Sequence, residues 1–293
     1  MECKTFSSSP RNEKAEFVPC ALCGHKPPAL IWENPNYSFS KCPRCGLIYQ
    51  YPLPEQEALL SRYDKEYFSY ELENERAFFG LMEKALEDVH FYRDLDYRRE
   101  PGEQENGEQG KGWFLDIGCA TGMLLEKMKK RGWRERGVEV CTHSAEYGIK
   151  ERGVDIHIGT LEAAGFASEK FDLVHASHLI EHLTDPVGFL TETRRVLRPG
   201  GRAILTTPNA AGLQARLFGR KWRSAIADHM HLFSYRTLKR MLEKQGFEIE
   251  YWKSWGGIAA GLAPKPLKKV IDGAAKRFGF GDVMVFRARK PGA

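Results

Sequence analysis

No run of about eighteen or more apolar residues occurs in the 293-residue chain, which excludes a membrane-spanning helix. The segment Met1–Pro10 has no apolar core, so no secretory signal is read there and the cytoplasm is the expected compartment. Cysteine is sparse and odd in number: Cys3, Cys20, Cys23, Cys42, Cys45, Cys119 and Cys141. An odd count in a reducing compartment argues against a disulfide framework. Acidic residues are scarce at one end only. Residues 216–293 hold 6 Asp/Glu against 17 Lys/Arg, whereas residues 1–215 hold 33 against 27. That basic end fits an anionic group on a partner, or simply a solvated surface. No internal repeat is present.

What the chain does contain begins after a polar segment, residues 1–16, that is expected to be disordered. Two hooks follow, Cys20-Ala-Leu-Cys23 and Cys42-Pro-Arg-Cys45, with eighteen residues between them. Paired thiols at this spacing suit a tetrahedral, structural Zn2+ with all four positions filled by protein, in a ribbon spanning residues 17–53. From 54 to 98 a helical pattern is expected, with Phe78, Leu81, Met82, Ala85, Val89, Tyr92 and Leu95 on its apolar face. Tyr63, Tyr67, Phe68 and Tyr70 precede that face and make the segment a candidate lid. Residues 99–112, rich in Gly, Glu and Gln, read as a flexible linker.

From Trp113 strands and helices alternate at short intervals, which implies a doubly wound α/β sheet over residues 113–293. Its first unit is Trp113-Phe-Leu-Asp116-Ile117-Gly118-Cys119-Ala120-Thr-Gly122: strand, glycine-bearing turn, helix. Glycines there let the backbone approach a ligand closely. Glu139 ends the second strand, twenty-three residues beyond Asp116. An ionised carboxylate at that remove suits the two hydroxyls of a ribose. Asp185-Pro186 and Ser234 read as helix starts. Residues 209–233 break the alternation as an insertion rich in Arg, Lys, Trp and His.

Several of these pieces together resemble a class I S-adenosylmethionine-dependent methyltransferase: Asp116–Gly122, Glu139, Phe171-Asp-Leu-Val, Glu181-His182-Leu, Leu197-Arg-Pro-Gly-Gly201 and the closing strand pair. The four-cysteine unit, Cys45-Gly-Leu-Ile-Tyr49, Tyr63 with Tyr67-Phe68, and His229-Met-His231-Leu-Phe-Ser resemble its zinc-bearing subgroup, often involved in methylating sugars or cell-surface polysaccharides. One position departs, since Ala120 stands where the family has a middle glycine. The resemblance implies a Rossmann-like sheet of seven strands with the last antiparallel. It places Asp116, Ile117, Gly118, Cys119, Ala120 and Gly122 at the methionine part of the cofactor, and Glu139 and Val140 at the ribose. Thr160, Leu161 and Glu162 would lie along the adenine, with Ala176 and Ser177 bordering the methyl-transfer site.

Competing readings are weaker on particular residues. A dinucleotide fingerprint needs glycine where Met123 stands. His178-Leu-Ile-Glu181-His182 spells a zinc-peptidase string but follows a strand rather than lying on the required helix. Nucleic acid is disfavoured because residues 17–53 carry only three Lys/Arg against one Asp/Glu, though RNA stays open as a substrate. The expected reaction is methyl transfer to a hydroxyl or other nucleophile of a small acceptor, a saccharide or a nucleotide- or lipid-linked sugar. A quinone precursor is the alternative. A hydroxyl benefits from a general base, and His178, His182, His229 and His231 are the candidates, with Asp228 to orient an imidazole. Arg220, Lys221 and Arg223 could grip a phosphate.

Overall fold

Two sheets built from one chain meet at the insertion. The computed structural model describes residues 18–26, 28–54, 65–94, 111–258, 261 and 264–292. The expected disordered segment, Tyr63, Leu95 and linker residues 99–110 lie outside the described residues.

The chain opens with an antiparallel meander of β1 (Ala29–Glu33), β2 (Ser38–Lys41) and β3 (Ile48–Gln50). Helices α1 (Lys65–Asp88) and α2 (Phe91–Asp94) follow. The alternating part runs β4 (Trp113–Ile117), α3 (Met123–Lys130), β5 (Arg134–Glu139), α4 (Thr142–Arg152), β6 (Ile156–Ile158), β7 (Phe171–Ser177). It continues with a 3-10 turn (Ile180–His182), α5 (Pro186–Val196), β8 (Leu197–Pro208), α6 (Leu213–Phe218), β9 (His231–Leu232) and α7 (Tyr235–Lys244). The last elements are β10 (Glu248–Trp255), α8 (Lys265–Phe278) and β11 (Val283–Arg289).

The large sheet has seven strands in the order β10-β11-β8-β7-β4-β5-β6. β4 through β8 pair in parallel, and β11 is antiparallel to both of its neighbours, as the resemblance implies. Alternate residues of these strands enter two cores. Leu115, Val174, Met284 and Phe286 pack on one face, and Phe114, Leu173 and Val285 on the other. Burial on both faces is why these strands read as continuous apolar runs. Both expected caps are present. Asp185 Oδ1 accepts the Gly188 amide at 2.9 Å, and Ser234 and Thr237 form a reciprocal capping box, each cap contributing about 1 kcal/mol.

Two expectations need correction, and one helix was not expected. The ribbon is not self-contained: β9, from the insertion, pairs with β3 through Ile48–Leu232 and Tyr49–His231, so residues far apart in sequence share one four-stranded sheet. The buried face of α1 is offset from the expected one. Ala85, Leu86 and Val89 pack with Phe79 and Met82, while Phe78 and Leu81 are exposed, because adjacent aromatics at 78 and 79 fit either register. The Gly/Ala/Pro/Lys-rich stretch after β10 contains the unforeseen helix α8. Pro266 sits in its first turn, where no amide partner is needed, and Gly279 ends it at φ +77°.

Candidate active site

The sheet reverses its winding between β4 and β7, so the crevice lies beyond their carboxyl ends. The turn 118–122 leaves β4 and the segment 178–182 leaves β7, and the two touch. A Cβ on Gly118 would meet Leu179 Cδ1 at 3.5 Å.

Gly118, Ala120 and Gly122 all adopt positive φ, at +71°, +49° and +79°. Ala120 therefore holds a left-handed conformation that costs an L-residue about 1–2 kcal/mol. Part of that cost returns in the less flexible unfolded chain, about 0.4–1 kcal/mol relative to glycine. The Ala120→Gly variant is expected to melt at or slightly above the wild-type temperature; a clear drop would show that the alanine methyl packs productively.

Glu139 closes the turn from the next strand. Its Oε2 accepts the Ala120 amide at 2.9 Å and its Oε1 the Cys141 amide at 2.8 Å. Burial pushes this carboxyl up to about 7, and the nearby Glu71 charge adds to the rise against the pull of those amides. The Gly159 amide donates to the Glu139 carbonyl at 2.8 Å, which brings Thr160 and the buried Leu161 to the same rim; Glu162 is exposed. Val140 is half-buried beside them. Asp116 is buried and paired with His175 Nδ1 at 2.7 Å across neighbouring strands, so it holds the end of β4 rather than an open face. Ile117, Cys119 and Ala176 are buried, and Ser177 is half-buried. Burial raises the Cys119 thiol well above its ordinary range, so it acts as an apolar filler.

Helix α1 packs beside this turn through Tyr67 and Phe68, which the sequence singled out, and through Glu71 and Glu75, which it did not. Glu75 accepts from Thr121 Oγ1 and from Arg152 Nη2, the latter at 2.6 Å, and Arg152 Nε donates to the Thr121 carbonyl at 2.9 Å. Glu71 accepts from Ser144 Oγ and Tyr67 OH, both at 2.9 Å, and its carboxyl is raised by burial. Phe68 stacks on His143 with centroids 6.3 Å apart. Acids at 71 and 75, one turn apart on a helix, were the available signal, since they mark one helix face.

Across the crevice three of the four candidate histidines gather round one buried carboxylate. His178 Nδ1 lies 3.1 Å from Glu181 Oε1, and Thr207 Oγ1 donates to Glu181 Oε2 at 2.9 Å. Burial alone would raise the Glu181 carboxyl, but the His178 hydrogen bond, with the positive charge that imidazole carries when protonated, holds it below the usual carboxylate range. His178 is 48% exposed at its side chain and sits at φ +51°, a strained backbone for histidine. His182 and His229 meet edge to face at 4.6 Å. His229 Nδ1 donates to the Ser224 carbonyl at 2.8 Å, and burial pushes the imidazole down to about 4, so it is neutral with Nε2 bearing the lone pair. The fourth candidate, His231, stands apart: it is stacked on Tyr49 and Phe233, with Nδ1 on the Leu183 carbonyl at 3.0 Å. Asp228 is exposed, and the orienting of His229 falls to Ser224.

The four-cysteine unit reaches this cluster through one side chain. Gln50 Nε2 donates to the carbonyls of Ala227 at 2.7 Å and His229 at 2.9 Å, and the Gln50 amide donates to Met230 at 2.8 Å. Phe39 and Ile48 of the ribbon share a core with Trp222, Ala225 and Leu232 of the insertion. Arg223, expected at a phosphate, instead pairs with Asp282, which also accepts from Trp222 Nε1 at 2.6 Å. Arg220 and Lys221 remain exposed.

The sulfurs of Cys20, Cys23, Cys42 and Cys45 lie within 4.8 Å of one another, two pairs at 3.5 Å. A tetrahedron of sulfurs about 2.3 Å from an ion has edges of about 3.8 Å, so the set fits Zn2+. Gly24 and Gly46, at φ +69° and +80°, close matching knuckles whose amides return to the Cys20 and Cys42 carbonyls. Burial pushes the Cys20 thiol up to about 11, a cost that a bound divalent cation would offset.

A family model described as "Methyltransferase domain" matches residues 92–251. The ubiquinone biosynthesis O-methyltransferase of Parvibaculum lavamentivorans is 32% identical over 167 residues, covering 54% of this chain and 56% of that protein. A protein of the same name from Ruegeria sp. strain TM1040 is 34% identical over 104 residues, covering 33% of this chain and 41% of its own. The chain thus spans about half the length of the curated relatives it matches. Among solved structures, a chain from a complex between the Haloferax volcanii Trm112 methyltransferase activator and a methyltransferase superposes with a TM-score of 0.54. It is 15% identical, covering 76% of this chain and 97% of that one, and so shares the fold. Among the described residues no helix is long and apolar enough to cross a membrane.

Proposed function

We propose that this chain, which belongs to the methyltransferase-domain family, transfers a methyl group from S-adenosylmethionine to a hydroxyl oxygen of a small acceptor held between residues 177–182 and the insertion. The observation that carries this reading is the Glu181-centred histidine cluster, set directly against the glycine turn through Leu179. When bound, the cofactor supplies a methyl group already activated by its sulfonium sulfur.

The chain's own residues then have three tasks. Glu139 would accept from the ribose hydroxyls, while Gly118–Gly122 would admit the methionine part and residues 160–162 would flank the adenine. Helix α1, fastened by Glu71 and Glu75, excludes water from above. His178, its Nδ1 fixed by Glu181, would take the acceptor's proton at Nε2 and so raise the nucleophilicity of the oxygen. Cys20, Cys23, Cys42 and Cys45 would hold a structural Zn2+ that stiffens the ribbon, and Gln50 links the ribbon to His229.

Oxygen as the acceptor atom is supported by the names of the relatives, both O-methyltransferases. For the acceptor's skeleton the first reading is a saccharide or a nucleotide- or lipid-linked sugar, which rests on the resemblance of the four-cysteine subgroup. A quinone precursor is the second reading, favoured by those same names. The test is incubation with methyl-labelled S-adenosylmethionine and both acceptor panels, read by mass spectrometry. A methyl ether on a saccharide is the expected product. Label on a phenolic oxygen alone would select the second reading, and label on nitrogen or carbon alone would contradict both.

A further inference from the structure

We propose that Glu181, His182 and His229 form a binding site for a divalent transition-metal cation, distinct from the four-cysteine site, that holds the acceptor's oxygen. The inference deepens the hydroxyl-directed reading above and rests on it for the cation's role, though not for its binding. One ligand atom from each of the three residues lies within 4.8 Å of the other two. Two imidazoles and one carboxylate suit Zn2+, Mn2+ or Fe2+, rather than the all-oxygen sites of Ca2+ and Mg2+ or the thiolate sites of softer ions. Three protein donors leave at least one coordination position open, the mark of a working rather than a structural centre.

The surroundings are those of ligands held in place. A carbonyl can only accept, so the bond from His229 Nδ1 to Ser224 fixes the tautomer and leaves Nε2 as the free donor atom. Each oxygen of Glu181 accepts one hydrogen bond, from His178 and from Thr207, and keeps a lone pair. Outer partners of this kind orient metal ligands and tune their basicity. Packing alone would account for one buried imidazole; it does not call for two perpendicular imidazoles at 4.6 Å beside a carboxylate that is 1% exposed. The site also bridges the turn after β7 and the insertion, so a cation there would join the two walls of the acceptor cleft. The string His178-x-x-Glu181-His182 thus supplies ligands after all. It does so from a 3-10 turn, with the third ligand brought in by the insertion, rather than from a peptidase helix.

In the proposed step the cation withdraws electron density from the acceptor hydroxyl and is itself neither oxidised nor reduced. The proton passes to His178 Nε2 and an oxygen lone pair forms the new O–C bond. The C–S bond breaks with its electron pair going to sulfur, which leaves as the neutral thioether of S-adenosylhomocysteine.

The test uses the full chain with zinc retained at its cysteines, dialysed against a weak chelator and titrated with Co2+. Uptake of one further equivalent is expected, with visible ligand-field bands and no thiolate charge-transfer band. His182→Asn and His229→Asn are expected to lose that equivalent while still binding S-adenosylhomocysteine, which shows that they are folded. Thr207→Val should weaken Co2+ binding about 10- to 100-fold. No uptake by the wild type, or full uptake by both histidine variants, overturns the site. Undiminished O-methylation by protein freed of labile cation overturns the cation's role and leaves the hydroxyl reading intact. Co2+ bound as expected with methyl transferred only to nitrogen or carbon leaves the site intact and overturns the hydroxyl reading.

Discussion

Replacing Glu139 by alanine is expected to weaken S-adenosylmethionine binding by at least about 100-fold, because hydrogen bonds to a charged group contribute about 1.5–3 kcal/mol each and a ribose offers two. The loss is compounded locally, since the Ala120 and Cys141 amides would forfeit their acceptor. The pH dependence distinguishes this cause from general damage. Burial holds the Glu139 carboxyl at about 7, above its unfolded value, so the folded protein binds the extra proton between about pH 4.5 and 7. Ionising it in the fold is therefore unfavourable, and the stability it contributes in acid is lost as pH rises through 7. Cofactor affinity runs the other way. The ribose hydroxyls need the ionised form, so affinity should fall by about tenfold per unit as pH drops below 7. Calorimetric titration from pH 8 to 5.5 measures this directly, and Glu139→Ala should flatten the profile. An affinity independent of pH in the wild type would remove Glu139 from the cofactor site.

Cys42→Ser is expected to cut turnover by at least about 100-fold although the residue lies in the ribbon and not in the crevice. A serine hydroxyl stays protonated near neutral pH and does not replace a thiolate, and structural zinc contributes folding energy outright. Losing the ribbon frees β9, Gln50 and the shared core around Trp222, and with them the position of His229. A displacement of about 1 Å in a reacting group can cost about 100-fold in rate, so a fall in kcat of at least that size follows. S-adenosylhomocysteine binding should change by only a few-fold, because Glu139 and the glycine turn belong to the other sheet. Hydrogen exchange should show β3 and β9 opening together. A variant that loses zinc but turns over normally would make the ribbon an independent appendage.

Much of this could be read locally. Strand, turn and helix around Gly118 follow from residues adjacent in sequence, as do Glu139 at a strand end, the two cysteine hooks and the caps at Asp185 and Ser234. The pairing of β3 with β9 could not be read, since it joins residues 48–49 to 231–232 and a two-residue strand carries no periodicity of its own. The same distance hid Gln50, whose amide finds carbonyls in the insertion. Glu71 and Glu75 carry no local sign of their partners; only the fold brings Glu75 to Thr121 of the glycine turn and Glu71 to Ser144. The four histidines were candidates by their place after β7 and in the insertion. Packing separates them, sending His231 into an aromatic stack and His178, His182 and His229 round Glu181. Helix α8 was obscured by Gly and Pro, which here mark its ends and not its absence.

In the proposed function the cluster beyond β7 performs the chemistry while the turn beyond β4 holds the cofactor. The most direct measurement compares kcat for the His178→Ala variant with that of the wild type, using the acceptor that mass spectrometry identifies, with S-adenosylhomocysteine affinity measured in parallel. A general base contributes about 10²- to 10⁴-fold, so kcat should fall by at least the lower figure with cofactor affinity unchanged. Turnover within a few-fold of wild type would contradict the account.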